Sequence, residues 1–145
     1  MEPIGYVSNN IDSPRDDSWA EVESKIIIER HLSPALEGLS EFSHILVVFW
    51  MHQAQPPAVL RRRPQGRDDM PEMGLLAQRA RHRPNPIGIT TVILVSVAGN
   101  EITVRGLDAI NGTPVLDIKP YYPDFDRPAG AKTPAWVSRL MKGYF

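Results

Sequence analysis

Two prolines one residue apart, Pro84 and Pro86, restrict the backbone of this chain more than any other pair of residues. Each proline fixes its own φ and moves the residue before it out of the helical region, so the whole segment is expected to be extended. Gly88 follows at a position where a side chain would be in the way. The β-branched run 89–95 comes next and is the strongest strand signal in the sequence. A rigid loop that leads into a strand is therefore predicted.

The residues just before these prolines are strongly cationic. Positions 79–83 hold three arginines and one histidine. A rigid cationic loop on the rim of a strand suits an anion- or nucleotide-binding site. A run of arginines is also typical of a solvated surface, and Pro-x-Pro of a stiff turn. The residues of this segment alone leave both interpretations open.

Composition narrows the class of protein. A chain of 145 residues can bury a core as one domain without disulfides or a metal. The 16 Lys and Arg nearly balance the 17 Asp and Glu, so net charge does not indicate nucleic-acid binding, although the basic residues are clustered. The absence of cysteine excludes a thiol nucleophile and a cysteine metal site. No signal peptide or membrane-spanning run is present, and a soluble, cytoplasmic protein is expected.

The chain reads as a series of short strands with one convincing helix. Strands are predicted at 3–8, 23–30, 44–51, 74–77, 89–97, 101–107 and 115–120. Ala98-Gly99-Asn100 is a hairpin signal, and Thr133 followed by Pro134 is typical of a helix start with Thr133 as its N-cap. The pattern indicates a mainly β fold, an antiparallel barrel or sandwich with a C-terminal helix.

Two regions of this pattern have further consequences. Residues 44–51 are apolar at nearly every position, which predicts a fully buried strand. Residues 54–72 hold four prolines and four arginines and are expected to form a long loop without secondary structure. Phe42, Phe49 and Trp50 suggest an exposed aromatic face that a second subunit could cover.

Four stretches together resemble the TrmO/YaeB family of S-adenosylmethionine-dependent tRNA methyltransferases. They are GLSEFSHILVVFWMHQ at 38–53, RARHRPNPIG at 79–88, RGLDAINGTPVLDIKPYYP at 105–123, and Gly5 with Ser13-Pro14. The resemblance implies a small antiparallel β-barrel over 1–145 as a single domain, without the extra C-terminal domain of longer bacterial members. It also implies a homodimer with S-adenosylmethionine near the subunit interface. The implied reaction methylates N6 of a threonylcarbamoyl-modified adenosine beside the tRNA anticodon.

The resemblance also implies which residues contact the cofactor. By position these are Gln53, Ala54, Arg79, Ile89, Arg105, Gly106, Leu107 and Asp108. The chemistry is consistent, because Arg79 can bind a carboxylate and Asp108 can accept from an ammonium or a ribose hydroxyl. Leu107, Ile89 and Trp50 can offer apolar surface. Asp108 can alternatively cap the turn that follows it, as Asp often does.

Some positions depart from the family's pattern. Gln78 stands where the family commonly has Thr, and Asn111 stands where Asp is usual. The segment 16–19 reads Asp-Asp-Ser-Trp instead of the bacterial Pro-Arg-Gln-Pro type, so the sequence does not support the cofactor contact that the family makes there.

The acceptor nitrogen would have a delocalised lone pair and an acidic proton, so a base or hydrogen-bond acceptor is expected. Asp117 and His52 are the candidates for that role, with Tyr121 as a positioning group. Each has a structural alternative: Asp117 can pair with Lys119, and His52 can be an ordinary residue at the edge of the core. The four histidines show no metal-site spacing, so no metal is predicted.

RNA contacts are predicted from the two basic clusters, since arginines track phosphates and stack on bases. The candidates are Arg61, Arg62, Arg63, Arg81 and Arg83. Two other functions stay open at this stage. One is methylation of a different RNA or a small molecule, and the other is a non-enzymatic barrel that binds single-stranded RNA.

Overall fold

The computed structural model describes all residues, Met1–Phe145, and its main feature is a closed six-stranded barrel. The barrel strands are β1 (Gly5–Ser8), β2 (Glu23–Ile28), β3 (His44–Trp50), β6 (Ile87–Ala98), β7 (Glu101–Arg105) and β8 (Pro114–Pro120). β4 (Arg61–Arg62) and β5 (Met73–Gly74) form a separate two-stranded pair. All pairs are antiparallel, in the order β1-β2-β7-β6-β3-β8, and β8 returns to β1. The predicted small antiparallel barrel is confirmed.

Alternation along the strands determines what fills the barrel. The interior is one apolar cluster of twelve buried residues, to which every barrel strand contributes. In β3 the inward side chains are Ile45, Val47 and Phe49, while Trp50 is 48% exposed. The predicted fully buried strand is therefore wrong for the outer face of β3. Phe49 also does not belong to an exposed aromatic face, because it points into the core.

The helices are short. Two 3₁₀ segments, Arg30–Leu36 and Leu39–Glu41, flank Gly38, whose φ of 81° makes it the break between them. The α-helices are α1 (Pro123–Asp126) and α2 (Ala135–Leu140). The C-terminal helix is confirmed, but Pro134 and not Thr133 occupies the N-cap position. None of these helices combines the length and the apolar character that crossing a bilayer requires.

The Arg/Pro-rich segment is a folded appendage of the barrel, contrary to the prediction of a loop without secondary structure. Besides the β4–β5 pair it contains a 3₁₀ turn at Pro64–Gly66. Gln78 is buried, and its amide nitrogen donates to the carbonyls of Arg62 (2.8 Å) and Met73 (3.0 Å). Of the strand predicted at 74–77, only Gly74 lies in a strand, as the last residue of β5, because a 3₁₀ turn at Leu75–Ala77 follows directly.

Gly88 lies opposite Phe49 in the β3–β6 pair. A Cβ built at Gly88 would overlap three carbons of the Phe49 ring. The expectation that a side chain would be in the way at this position is confirmed. The obstacle is the packed core, so the glycine lets the Phe49 ring lie against the backbone of β6.

Candidate cofactor site at one end of the barrel

The carboxyl end of β3 and the segment that follows β7 both approach the first residues of β6. Trp50 at the end of β3 lies opposite Ile87 at the start of β6. Arg105 at the end of β7 lies opposite Ile93, and the chain then continues to Asp108, which accepts from Thr90 of β6. The predicted cofactor residues follow or begin these strands: Gln53 and Ala54 after β3, Ile89 in β6, and Arg105, Gly106, Leu107 and Asp108 at the end of β7. The fold therefore brings the turn after β3 and Asp108 to the first residues of β6, and these residues define the rim.

The turn after β3 is attached to the Pro-x-Pro segment. Met51 donates its N–H to the carbonyl of Pro86 at 2.8 Å, and Ala54 donates to the carbonyl of Met51 at 2.8 Å. His52 and Gln53 are exposed on this turn. The two motifs are thus parts of one surface, and proline rigidity on one side supports the turn on the other.

Asp108 is held by two hydroxyl donors. The Thr90 hydroxyl donates to Oδ1, and the Tyr144 hydroxyl donates to Oδ2 at 2.7 Å. Neither donor belongs to the turn that follows Asp108, so this carboxylate does not act as a turn cap. A carboxylate has about four acceptor positions, which leaves room for a further donor at each oxygen.

Arg79 provides a cation near this carboxylate. Its side chain is exposed and takes part in none of the five ion pairs of the structure. Burial raises the pKa of Tyr144, the negative charges of Asp108 and Asp16 raise it further, and the positive charge of Arg79 acts in the opposite direction. The charge of Arg79 is therefore felt at Tyr144, the residue that donates to Asp108. An unpaired guanidinium there can bind a carboxylate through its N–H donors.

The apolar part of the site is smaller than predicted. Leu107 is fully buried in the core, so its side chain cannot contact a bound molecule and that part of the prediction is wrong. Ile89 and Trp50 are 50% and 48% exposed and supply the apolar surface. Arg105 lies 3.6 Å from Glu23 in an exposed pair, and Gly106 has a φ of 86°. A free cation, an anchored carboxylate and two apolar side chains match the carboxylate, ammonium or ribose, and apolar portions of S-adenosylmethionine.

The structure does not bring the three predicted catalytic residues together. Tyr121 donates its N–H to His44 at the start of β3, whereas His52 follows the other end of that strand, about 20 Å away. Asp117 lies opposite Val48 between them. Its carboxylate accepts from Lys119 Nζ at 2.8 Å, which raises the Lys119 pKa, and from the N–H of Ile118. Asp117 therefore pairs with Lys119, which is the structural alternative to a catalytic role. Of the three residues, only His52 follows the carboxyl end of β3.

The candidate RNA-binding arginines fall into two groups. Arg63 donates to the carbonyls of Asp68 and Met70, and Arg83 donates to the carbonyl of Gln78 at 2.6 Å. Both therefore hold the appendage together. Arg61 is exposed beside Glu72, and Arg81 donates to His82 Nε2. No group of three His, Asp or Glu side chains is close enough to hold a metal ion.

Residues 6–127 match the tRNA-methyltransferase O N-terminal domain. The chain belongs to this family. A relative from Methanothermobacter thermautotrophicus is 41% identical over 130 residues, and the alignment covers 87% of this chain and 92% of the relative. That relative is named a probable S-adenosyl-L-methionine-binding protein. The human tRNA (adenine(37)-N6)-methyltransferase is 32% identical over 142 residues, or 92% of this chain.

Solved members of the family share the barrel. The crystal structure of TrmO from Pseudomonas aeruginosa is 34% identical, with a TM-score of 0.74 over 91% of this chain. The chain spans 60% of that protein and 32% of the human enzyme.

Two residues of the site were not foreseen from the sequence. Thr90 lies inside the strand after the Pro-x-Pro segment, where it resembles any β-branched strand residue. Tyr144 lies 36 residues after Asp108 and outside the segment that matches the family. No local spacing links either residue to Asp108, and only the folded chain brings them together.

Proposed function

We propose that this chain is an S-adenosylmethionine-dependent methyltransferase that acts on N6 of a threonylcarbamoyl-modified adenosine beside the tRNA anticodon. The observation that carries the proposal is the Asp108 carboxylate, which Thr90 and Tyr144 anchor, together with the exposed Arg79 guanidinium, which makes no ion pair. Thr90 lies two residues after the motif that runs from Arg79 to Gly88. The names of the human, mouse and rat relatives as tRNA (adenine(37)-N6)-methyltransferases support the reaction.

S-adenosylmethionine would supply an activated methyl group at this rim. Arg79 would bind its carboxylate through two parallel N–H donors, and Asp108 would accept from its ammonium or ribose. Ile89 and Trp50 would cover apolar parts of the bound molecule. The acceptor nitrogen must lose a proton, and His52 is the exposed titratable side chain on the adjoining turn. A catalytic role for His52 stays a prediction.

The test of the reaction is methyl transfer from labelled S-adenosylmethionine to tRNA, followed by mass spectrometry of the nucleosides. Two tRNA substrates are compared, one with and one without the threonylcarbamoyl group. We expect methylated threonylcarbamoyladenosine from the first and little product from the second. Equal methylation of both tRNAs would contradict the proposed requirement for the modification.

A second candidate retains the cofactor but changes the acceptor. Relatives that match the chain over most of its length, from Methanothermobacter thermautotrophicus and Archaeoglobus fulgidus, are named only as S-adenosyl-L-methionine-binding proteins. Under this alternative the protein binds the cofactor, yet neither tRNA becomes labelled. Incubation with total RNA and with small-molecule extracts would then locate the acceptor.

The proposal includes a homodimer, for which the outer face of β3 and β6 is the interface. Trp50 lies opposite Ile87, Val48 opposite Ile89, and His44 opposite Ile93. The four apolar side chains Ile87, Ile89, Ile93 and Val95 of β6 are each 44–50% exposed. Exposed apolar patches of this kind are typical of protein interfaces. Because Ile89 and Trp50 belong to both the patch and the site, a partner there would lie beside the cofactor.

Ile93→Glu is expected to convert the dimer into monomers, because it places an unpaired charge in the apolar patch. Sedimentation velocity over a range of protein concentrations would measure the change. Ile27→Glu is the matched control, since Ile27 is an exposed isoleucine of β2, outside the β3–β6 patch. A wild-type protein that is monomeric at all concentrations would contradict the dimer.

Arg61→Ala combined with Arg62→Ala is expected to weaken tRNA binding and to flatten its salt dependence. Each lost phosphate contact should reduce the slope of log affinity against log salt by about 0.7–0.9. Cofactor affinity should not change, because neither residue lies at the rim. Lys25→Ala is the control, since Lys25 is a cation of β2 paired with Glu101 at 2.9 Å. An unchanged salt slope in the double variant would show that β4 does not contact phosphates.

A further inference from the structure

The last residues of the chain return to the rim that carries Asp108. After α2 the chain turns at Gly143, whose φ is 77°. The main-chain N–H groups of Ser18 and Trp19 then donate to the carbonyls of Gly143 and Tyr144, each at 3.0 Å. Two adjacent main-chain bonds thus attach the tail, residues 141–145, to the N-terminal loop.

The N-terminal loop is itself well anchored. Trp19 is buried at 2% exposure, and its indole N–H donates to the carbonyl of Arg15. The Arg15 guanidinium lies over the Trp19 ring, 4.8 Å from its centre, and donates to the carbonyl of Ser18. The tail therefore docks on a loop that packing and hydrogen bonds already hold in place.

Tyr144 reaches from this tail to Asp108. Its hydroxyl donates to Asp108 Oδ2 at 2.7 Å, and its ring packs edge-to-face on Phe145 with centroids 4.9 Å apart. Thr90 donates to the other carboxylate oxygen. One donor on each oxygen fixes the plane of the carboxylate, and the remaining acceptor positions of both oxygens stay available.

The hydroxyl of Tyr144 is a permanent donor under ordinary conditions. Burial raises its pKa, and the adjacent Asp108 carboxylate raises it further. The ordinary tyrosine pKa is about 10, so the phenol stays protonated at neutral and moderately alkaline pH. The bond to Asp108 is therefore not lost by ionisation of Tyr144.

We propose that Tyr144 is a positioning residue. It orients the Asp108 carboxylate to accept a hydrogen bond from the ammonium or a ribose hydroxyl of the cofactor. This inference rests on the proposed function, since it needs S-adenosylmethionine at the rim. It also goes beyond the family match, which ends at residue 127 and assigns nothing to the tail. In this chain the loop 15–19 holds the tail, and the tail supplies the hydroxyl that donates to Asp108.

Tyr144→Phe tests the inference, because it removes the hydroxyl and keeps the ring. We expect the affinity for S-adenosylmethionine, measured by calorimetry, to fall about 3- to 10-fold. In the methyl-transfer assay KM for the cofactor should rise, while kcat at saturation stays within about twofold. Tyr122→Phe is the control, since Tyr122 packs near Phe42 and makes no contact with Asp108.

A double-mutant cycle separates positioning from a purely structural role. In an Asp108→Ala background, Tyr144→Phe should change the affinity by less than about twofold, because the oxygen that accepts from the Tyr144 hydroxyl is gone. An equal loss in both backgrounds would show that Tyr144 acts independently of Asp108 and would overturn the inference. Thr90→Val removes the other donor and provides a second route if Tyr144→Phe does not fold.

The outcomes distinguish this inference from the proposed function. If wild-type protein does not bind S-adenosylmethionine, the proposed function fails. If wild-type protein binds and Tyr144→Phe binds equally well, the proposed function stands and the role of Tyr144 is refuted.

Discussion

Arg79→Ala is expected to lower the affinity for S-adenosylmethionine by about 10- to 100-fold, with little change in thermal stability. The guanidinium makes no ion pair in the free protein, so its removal breaks no structural contact. Hydrogen bonds to a charged group contribute about 1.5–3 kcal/mol, which corresponds to that range of affinity. Calorimetric titration of wild-type and variant proteins measures the loss.

Two further variants make this test specific. Arg79→Lys keeps the charge but loses the two parallel donors, so an intermediate affinity is expected. Arg81→Ala removes a neighbouring cation that contacts His82 and not Asp108, so cofactor affinity should be preserved. Unchanged affinity in Arg79→Ala would remove Arg79 from the site, and an equal loss in Arg81→Ala would indicate only a general effect of charge.

Gly88→Ala is expected to give a large loss of stability. The added methyl group would overlap the Phe49 ring, which is 3% exposed and cannot move without displacing the core. Overpacking of this kind costs about 1–3 kcal/mol and occasionally more. A chain of this length loses about 3 °C per kcal/mol, so the midpoint of thermal unfolding should fall by about 3–10 °C. Circular dichroism during heating would measure the shift.

Gly74→Ala is the matched control for this prediction. Gly74 also lies in a strand, its φ is −63°, and no atom lies within 4 Å of a Cβ built there. We expect a change in stability within about 0.5 kcal/mol. Combining Gly88→Ala with Phe49→Leu should cost less than the sum of the two single changes, because the smaller side chain leaves room for the methyl group. Strict additivity would contradict the proposed overlap.

The strands of the barrel could be predicted because alternation and β-branched runs are local signals. Each of the six barrel strands coincides with a predicted strand, with differences of two residues or fewer at either end. The faces were harder to assign in β3, where apolar residues occupy both sides. Phe49 and Trp50 look equivalent in sequence, yet they lie on opposite faces, since neighbouring side chains of a strand alternate.

The fold of the appendage, which spans residues 54–84, could not be predicted from the local pattern of the sequence. Its order depends on donors that reach over distance in the sequence, such as Gln78 to the carbonyl of Arg62 and Arg83 to that of Gln78. The sequence predicts that the arginines of this region form a solvated or RNA-binding surface. Two of them, Arg63 and Arg83, instead donate hydrogen bonds to main-chain carbonyl groups. Hydrogen bonds of this kind leave no periodicity in the sequence.

The candidate site also combines features that the sequence predicts with features that only the folded chain reveals. The fold brings two of the motif segments, the turn after β3 and Asp108, to the first residues of β6, whereas Arg105 lies opposite Ile93. The motifs did not reveal that the Leu107 side chain is buried, that Asp117 pairs with Lys119, or that Tyr144 bonds to Asp108. Those features arise from packing and from a tail that lies outside the matched segment.

The most direct test of the central claim is calorimetric titration of the folded protein with S-adenosylmethionine and then with S-adenosylhomocysteine, without and with bulk tRNA. We predict saturable binding of both compounds with one site per subunit. Absence of binding by a folded sample, with tRNA present as well as without it, would contradict the assignment of this rim as a cofactor site.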